Sequence, residues 1–142
     1  MIEIRVHGNP APQGSKTAVV RGGKAIMFES SKKLPAWRDA IKMTSAVARI
    51  EHGGPLLGPL SVTIVFYLER PRSTVRDYPN TAPDIDKLIR AVFDGLQESE
   101  MISNDGQIVA VSAWKFWADE KNPTGAVIKL AKKDPYLSNG DD

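Results

Sequence analysis

The sequence predicts an α+β fold, a single domain in which two main helices pack on a mixed β-sheet. Three observations support this prediction. The length of 142 residues fits one domain with its own core. Residues 59–69 place large apolar side chains at every second position, and residues 84–98 carry an apolar stripe at helical spacing. The predicted element order, β-β-β-α-β-α-β-β, mixes the two types as α+β proteins do.

Strands are predicted where apolar residues recur with period two. Residues 2–7 (IEIRVH) form the first, and the segments TAVV and KAIMFE flank RGG as a hairpin after the Gly/Pro loop GNPAPQGSK. The strongest strand pattern lies in 59–69, and two further strands are predicted at 107–117 and 124–131. The segment ADEKNPTG between those last two predicts a hairpin loop.

Two helices are predicted from capping residues and apolar periodicity. The first is capped by Ser30 or Ser31, has Pro35 in its first turn and runs to about Glu51, where HGGP ends it. The second covers about 84–98. Each has one apolar face, formed by Leu34, Trp37, Ile41 and Ala48 in the first helix and by Ile85, Leu88, Ile89, Val92, Phe93 and Leu96 in the second.

The composition limits the chemistry that the chain can perform. It has no cysteine, which excludes disulfides and thiolate metal sites, and its two histidines are far apart in sequence. Nucleophilic catalysis by Ser/His or Cys/His therefore has little support. A metal would be held by oxygen atoms, which favours Mg²⁺, with Mn²⁺ as a substitute. No segment is apolar enough to span a membrane and no signal-peptide core is present, so we expect a cytoplasmic protein.

Positive charge is concentrated in the first part of the chain. Residues 1–50 contain nine Lys and Arg against three Asp and Glu, although the formal net charge of the whole chain is only +2. This distribution predicts either contact with a polyanion such as nucleic acid or a solvated basic surface. Residues 133–142 predict a flexible acidic tail after a domain of residues 1–132. The candidate phosphate contacts are Lys16, Arg21, Lys24, Arg70, Arg72, Arg76 and Lys87.

Asp84 and Asp86 lie one residue apart at the predicted start of the second helix. A helix N-terminus favours a capping carboxylate, which accounts well for one aspartate, but two close carboxylates repel unless a cation lies between them. Asp105, in SNDGQI, is either a turn residue or a third carboxylate that returns beside the helix start. Arg90 is spaced for an i,i+4 pair with Asp86, or for stabilising a metal-bound phosphate. Lys115, among apolar neighbours on a strand, either snorkels to solvent or faces a site.

These segments, in this order, resemble the RusA family of Holliday junction resolvases, especially the members carried by phages and prophages. The similarity covers about residues 3–130 and includes GNPAPQGSK, ESSKKLPAWRDAI, PDIDKLIRAVFDGL and ISNDGQIV. The family pattern has Asp-x-Asp at a helix start, a lysine four residues after the second Asp, and an Asp in the following loop. The matching positions here are Asp84, Asp86, Arg90 and Asp105, so an arginine replaces the family lysine and keeps its charge but not its compact shape.

The resemblance implies a RusA-like homodimer in a bacterial or phage-infected cytoplasm that resolves four-way DNA junctions by paired, symmetric nicks. It implies that Asp84, Asp86 and Asp105 hold Mg²⁺ and that Arg90 stabilises the developing charge, without a small-molecule cofactor or a membrane partner. The alternative is a related module that binds branched DNA without cutting it. A third interpretation is a structural homodimer whose acids only cap helices, and this interpretation predicts no stabilisation by metal.

Overall fold

The computed structural model describes residues 1–14, 16–29 and 31–133, of which 16–21 and 25–29 are described by their backbone alone. The predicted acidic tail lies outside the described residues, except for Lys133, and so does Ser30, one of the two proposed helix caps. The elements in chain order are β1 (Ile2–His7), β2 (Lys16–Arg21), β3 (Lys24–Glu29), α1 (Leu34–His52), β4 (Leu60–Leu68), α2 (Ile85–Glu98), β5 (Ile108–Trp117) and β6 (Gly125–Lys132). A single 3₁₀ turn, Asp105–Gln107, precedes β5.

Four of the strands form a mixed sheet in the order β1-β6-β4-β5. Strand β4 pairs parallel with β5 and antiparallel with β6, while β1 pairs antiparallel with β6. Because α2 lies between β4 and β5 in the chain, it supplies the long crossover that a parallel pair requires. The fold class predicted from the sequence, a single α+β domain with a mixed sheet and two helices, is confirmed.

The predicted hairpin between the last two strands is wrong. Strands β5 and β6 do not pair with each other, because β4 lies between them and pairs with both. Strand β4 is the most apolar strand of the sheet and is buried at every second residue, which suits a central position. The segment ADEKNPTG therefore connects across the end of β4. The hairpin predicted around RGG is confirmed, and β2 and β3 form a separate two-stranded sheet.

Both helices pack on one face of the sheet and on each other. The apolar stripes predicted for α1 and α2 are buried or partly buried against β4, β6 and β1. The two helices lie in close contact at Gly95, where an added Cβ would lie 2.5 Å from Cγ2 of Ile41. Glycine is therefore required at this position by contact rather than by backbone conformation. The face of the sheet away from the helices carries the alternate side chains of each strand.

Helix α1 begins later than a serine cap would place it. Its N-cap is Lys33, with no side-chain capping bond, and Pro35 occupies the first turn as predicted. Because proline fits only the first turn of a helix, it sets the start at Leu34, and Ser31 lies outside the helix. The helix ends at Gly53, which adopts a left-handed φ of 91° and donates its amide to Arg49 and Ile50. Among the described residues, no helix has the length and apolar character to cross a membrane.

Candidate active site

Asp84 and Asp86 lie together at the start of α2, as the sequence predicts. Asp84 is the N-cap residue, with an extended backbone, and its carbonyl accepts the amide of Leu88 at 3.1 Å. Its side chain makes no capping hydrogen bond and is 60% exposed. Asp86 follows in the first turn and is also exposed. Neither carboxylate is thus used to build the helix by a capping bond, which leaves both available to a cation or a substrate.

Two lysines flank Asp84. The Lys87 ammonium lies 3.5 Å from the Asp84 carboxylate as an i,i+3 pair. Lys115, on the helix-facing side of β5, donates to the carbonyls of Thr81 and Pro83, each at 2.9 Å. These carbonyls belong to the loop that ends at Asp84, so Lys115 fixes the backbone from which the first aspartate projects. Of the two alternatives left open by the sequence, Lys115 faces the site, where its side chain is partly exposed.

The surroundings of Lys115 change the properties of its charge. Burial lowers the pKa of Lys115 from its ordinary value of 10.5, and the negative charge of Asp84 acts in the opposite direction. The ammonium is thus tied to the site both by its hydrogen bonds and by its electrostatic interaction with Asp84.

Arg90 is not paired with an aspartate of its own helix. No ion pair joins it to Asp86 or Asp94 within the described part of the chain. Its guanidinium lies against Gly14, where an added Cβ would be 2.5 Å from Nη1. The side-chain amide of Gln13 donates a hydrogen bond to the Asp94 carboxylate. The backbone N–H of Gln13 donates to the carbonyl of Lys87 at 3.0 Å. The Gly/Pro loop before β2 therefore lies along α2.

Asp105 does not reach the other two aspartates within one chain. Its backbone amide donates to the side chain of Gln97, in the last turn of α2, at 3.0 Å. Gln97 lies eleven positions after Asp86, which corresponds to about 16 Å of helix axis. No group of three or more His, Cys, Asp or Glu side chains suited to a metal occurs among the residues described. Within one chain the described residues therefore do not bring the three carboxylates together, because the loop bearing Asp105 stays at the C-terminal end of the helix.

A network of amide side chains holds the loop of Asp105. The side chain of Asn104 accepts the amide of Gly106 at 2.7 Å, and Oε1 of Gln107 accepts the amides of Ser103 and Asn104. Nε2 of Gln107 donates to the carbonyls of Leu56 and Gly58, which anchors the loop to the segment before β4. The spacing Asn-x-x-Gln is that of a capping box and could have been read from the sequence. Asp105 itself is exposed and presented at the surface.

The candidate phosphate contacts occupy three places around the site. Arg70 and Arg76 are joined, since Arg70 donates to the Arg76 carbonyl at 3.4 Å, and both are exposed, as is Arg72. Lys24 is exposed at the turn of the hairpin, whereas the side chains of Lys16 and Arg21 lie outside the described part of the structure. Lys87 is partly exposed beside Asp84. The loop that carries the three arginines leads directly into the start of α2.

The residues at the start of α2 fit a hard divalent cation in part. Mg²⁺ is commonly held by one or two carboxylates, with waters and substrate phosphates completing the coordination. Asp84 and Asp86 supply two exposed carboxylates without competing capping bonds. Their charge also offsets the positive end of the helix dipole, which by itself would oppose a cation. A third carboxylate would have to come from outside this end of the chain.

Comparison with protein families identifies the family of the chain. The model of the endodeoxyribonuclease RusA family matches residues 7–130, which is most of the 142-residue sequence. No curated protein matches the chain. The chain belongs to the RusA endodeoxyribonuclease family, as its motifs predicted. The members of this family are crossover junction nucleases that act on branched DNA. Membership therefore implies Holliday junction resolvase activity. Nucleases of this kind generally need a divalent metal.

Proposed function

We propose that this RusA family member is a Mg²⁺-dependent, structure-selective endodeoxyribonuclease that resolves four-way DNA junctions by paired, symmetric nicks. The observation that carries the proposal is the pair of exposed carboxylates at the start of α2, where Asp84 occupies the capping position without making the capping bond. An aspartate with a purely structural role would accept a capping hydrogen bond with its side chain at that position. Family membership supplies the class of reaction, and the geometry supports where it takes place.

In this proposal Asp84 and Asp86 hold the cation, for which Mn²⁺ substitutes. The bound metal would activate water and polarise the scissile phosphate. Lys115 positions the backbone before Asp84, and Lys87 and Arg90 place positive charge near the phosphate whose charge grows during hydrolysis. The hairpin β2–β3 and the loop of Arg70, Arg72 and Arg76 contact the phosphates of the junction arms.

We propose further that the protein acts as a homodimer and that Asp105 of the partner subunit completes each metal site. The support is geometric, since one chain holds the two parts of the site at opposite ends of α2. An isologous dimer pairs each surface patch with its symmetry mate, so two ends of one helix can meet the complementary ends of its copy. A two-fold dimer would also match the symmetry of a four-way junction.

The test is nicking of a synthetic four-way junction by Asp86→Asn, with each of the four strands labelled in turn. Wild type should cut two strands of like polarity with Mg²⁺ or Mn²⁺ and none with EDTA, and should leave a linear duplex of the same sequence intact. Asp86→Asn should bind the junction and fail to cut it. The matched control is Asp39→Asn, an exposed aspartate on α1 that should cut normally. Normal cutting by Asp86→Asn would refute the site.

The alternative function is binding of branched DNA without cleavage. The observation in its favour is that one chain, as far as it is described, holds no group of three metal-binding carboxylates. It predicts junction binding that is unaffected by Asp86→Asn and no nicking by wild type with any divalent metal. In either function, junction affinity should fall steeply with salt, and each substitution that removes a phosphate-binding cation should reduce the slope of log K against log salt by about 0.9.

A further inference from the structure

The face of the sheet that points away from the helices carries a group of exposed aromatic rings. Trp114 and Phe116 on β5 lie with their ring planes 5° apart and their centroids 6.0 Å apart. Tyr67 on β4 and Tyr78 from the loop after it lie 6.4 and 5.9 Å from the Phe116 ring. Trp114 is 54% exposed and Tyr78 is 60% exposed. We call Trp114, Phe116, Tyr67 and Tyr78 the aromatic patch.

The strand register continues the aromatic patch into a basic region. Trp114 is in register with Val65, Val65 with Val127, and Val127 with Arg5 on β1. The next row toward the start of β1 contains Lys129 and Glu3, which form a pair at 3.9 Å. With about 4.8 Å between strands, the aromatic and basic ends of the face are about 14 Å apart. Arg5 is exposed and has no ion-pair partner within the described residues.

The chemistry of this face suits a nucleic acid better than a protein partner. Its aliphatic side chains are the better covered ones, Val127 being buried and Val65 partly so, while the exposed apolar surface is aromatic. Small residues also lie on this face, among them the polar Ser61, Thr63 and Ser112. Sheet faces with exposed aromatics bind single strands by stacking the bases, and nearby cations take up the phosphates.

Charge also favours one orientation of the ligand. A groove of about 710 Å³ beside the aromatic patch is lined by Tyr78 and Arg70 but also by Asp77 and Asp119. With two carboxylates against one guanidinium, this groove attracts a phosphate less strongly than the Arg5 end of the face does, and it tolerates an uncharged base. Arg5 and Lys129, against the single acid Glu3, favour phosphates at the other end. The arrangement is complementary to a strand whose bases lie on the rings and whose backbone crosses toward β1.

We propose that this face of the sheet binds unpaired DNA, with bases stacked on the aromatic patch and phosphates at Arg5 and Lys129. The inference rests on the proposed function only in taking DNA as the ligand, and its site is separate from the aspartates of α2. Branch points and their distortion expose unpaired bases, and a stacking surface on the same molecule would hold them. The occupant is the single strand of the substrate, not a second copy of the chain.

The test measures binding of a fluorescein-labelled oligo(dT) of about 15 nucleotides to the full chain in EDTA. Trp114→Leu keeps an apolar side chain but removes the stacking surface, so the Kd should rise about 5- to 150-fold, the effect of losing one stacked base. Trp114→Phe keeps a ring and should stay within about threefold of wild type. Arg5→Gln should reduce the salt slope of binding by about 0.7, the value for one single-strand phosphate. Ile50→Ala, an exposed apolar side chain on α1, is the control.

An oligo(dT) affinity of Trp114→Leu within threefold of that of wild type would overturn the proposal. If light scattering also showed that Trp114→Leu differs in mass from wild type, the face would be assigned to a second copy of the chain. Junction nicking by wild type is measured in parallel. If wild type fails to nick while binding of oligo(dT) depends on Trp114, the proposed function is refuted and the stacking face is supported. If wild type nicks the junction and binding of oligo(dT) does not depend on Trp114, the proposed function is supported and the stacking face is refuted.

Discussion

Replacing Asp84 with serine separates the two roles that an aspartate at a helix start can have. Serine caps helices about as well as aspartate does, but it carries no charge and is a poor ligand for Mg²⁺. Because the Asp84 side chain makes no capping bond, the substitution does not remove the usual contribution of about 1 kcal/mol from such a bond. Asp84→Ser therefore tests whether this residue serves the fold or the site.

The expected stability change follows from what Asp84 does contact. A charge near a helix N-terminus contributes about 0.3–1 kcal/mol, and an exposed i,i+3 pair such as that with Lys87 about 0.2–0.5 kcal/mol. A serine that makes the capping bond offsets most of this loss. We expect the free energy of unfolding of Asp84→Ser to differ from that of wild type by less than about 1 kcal/mol.

The expected activity change is much larger. Charge stabilisation by a bound metal contributes several kcal/mol to the barrier, and each 1.36 kcal/mol corresponds to a factor of about ten in rate. Nicking of a four-way junction in Mg²⁺ should therefore fall at least about a hundredfold. Urea unfolding followed by circular dichroism gives the stability, with Asp39→Ser on α1 as the control. A loss of more than about 2 kcal/mol with unchanged nicking would show that Asp84 is structural and would refute the reasoning.

Three further substitutions test the neighbourhood of the site and the core. Lys115→Met removes the donor that holds the loop before Asp84, so single-turnover nicking should fall about 10- to 100-fold at unchanged junction affinity; an unchanged rate would contradict the positioning role. Gly95→Ala gains about 1 kcal/mol of helix propensity but brings a Cβ to 2.5 Å from Ile41 Cγ2, so the free energy of unfolding in urea should fall by about 1–3 kcal/mol. A rise in this free energy would mean that the helices can separate. Arg90→Lys restores the family lysine and should nick at least as fast as wild type, while Arg90→Gln should be slower; equal rates for both would exclude a role for the charge.

Elements defined by their own periodicity could be predicted from the sequence, and pairings between distant segments could not. Strand β4 and helix α2 carry patterns strong enough to give their bounds within a residue or two. The pairing of β5 depends on which strand occupies the centre of the sheet, and no local pattern around ADEKNPTG encodes this. Two strands separated by a turn-like segment predict a hairpin. In the structure β5 pairs parallel with β4 instead, because α2 provides the crossover that a parallel pair requires.

The site was predictable to the extent that its residues are neighbours in sequence. Asp84 and Asp86 lie together because they share one helix start, and Lys115 was ambiguous because its partners are backbone carbonyls 32 and 34 residues away. Asp105 lies apart from the other two aspartates of its own chain for a geometric reason: a loop that follows a helix lies at its C-terminal end unless the chain returns along it. The chain does return, as β5, but only after Asp105 has been passed.

The separation of Asp86 from Asp105 along α2 makes the dimer hypothesis testable by mixing subunits. Asp86→Asn and Asp105→Asn should each be inactive as homodimers. In a mixed dimer with composite sites, one site contains both substitutions, and the other combines wild-type Asp86 of one protomer with Asp105 of the partner subunit. The mixture should therefore recover nicking of one strand per junction in Mg²⁺, without paired cuts. If each chain formed its own site, every site in the mixture would contain one substitution. No strand would then be cut, and the composite site would be refuted while the role of each aspartate stood.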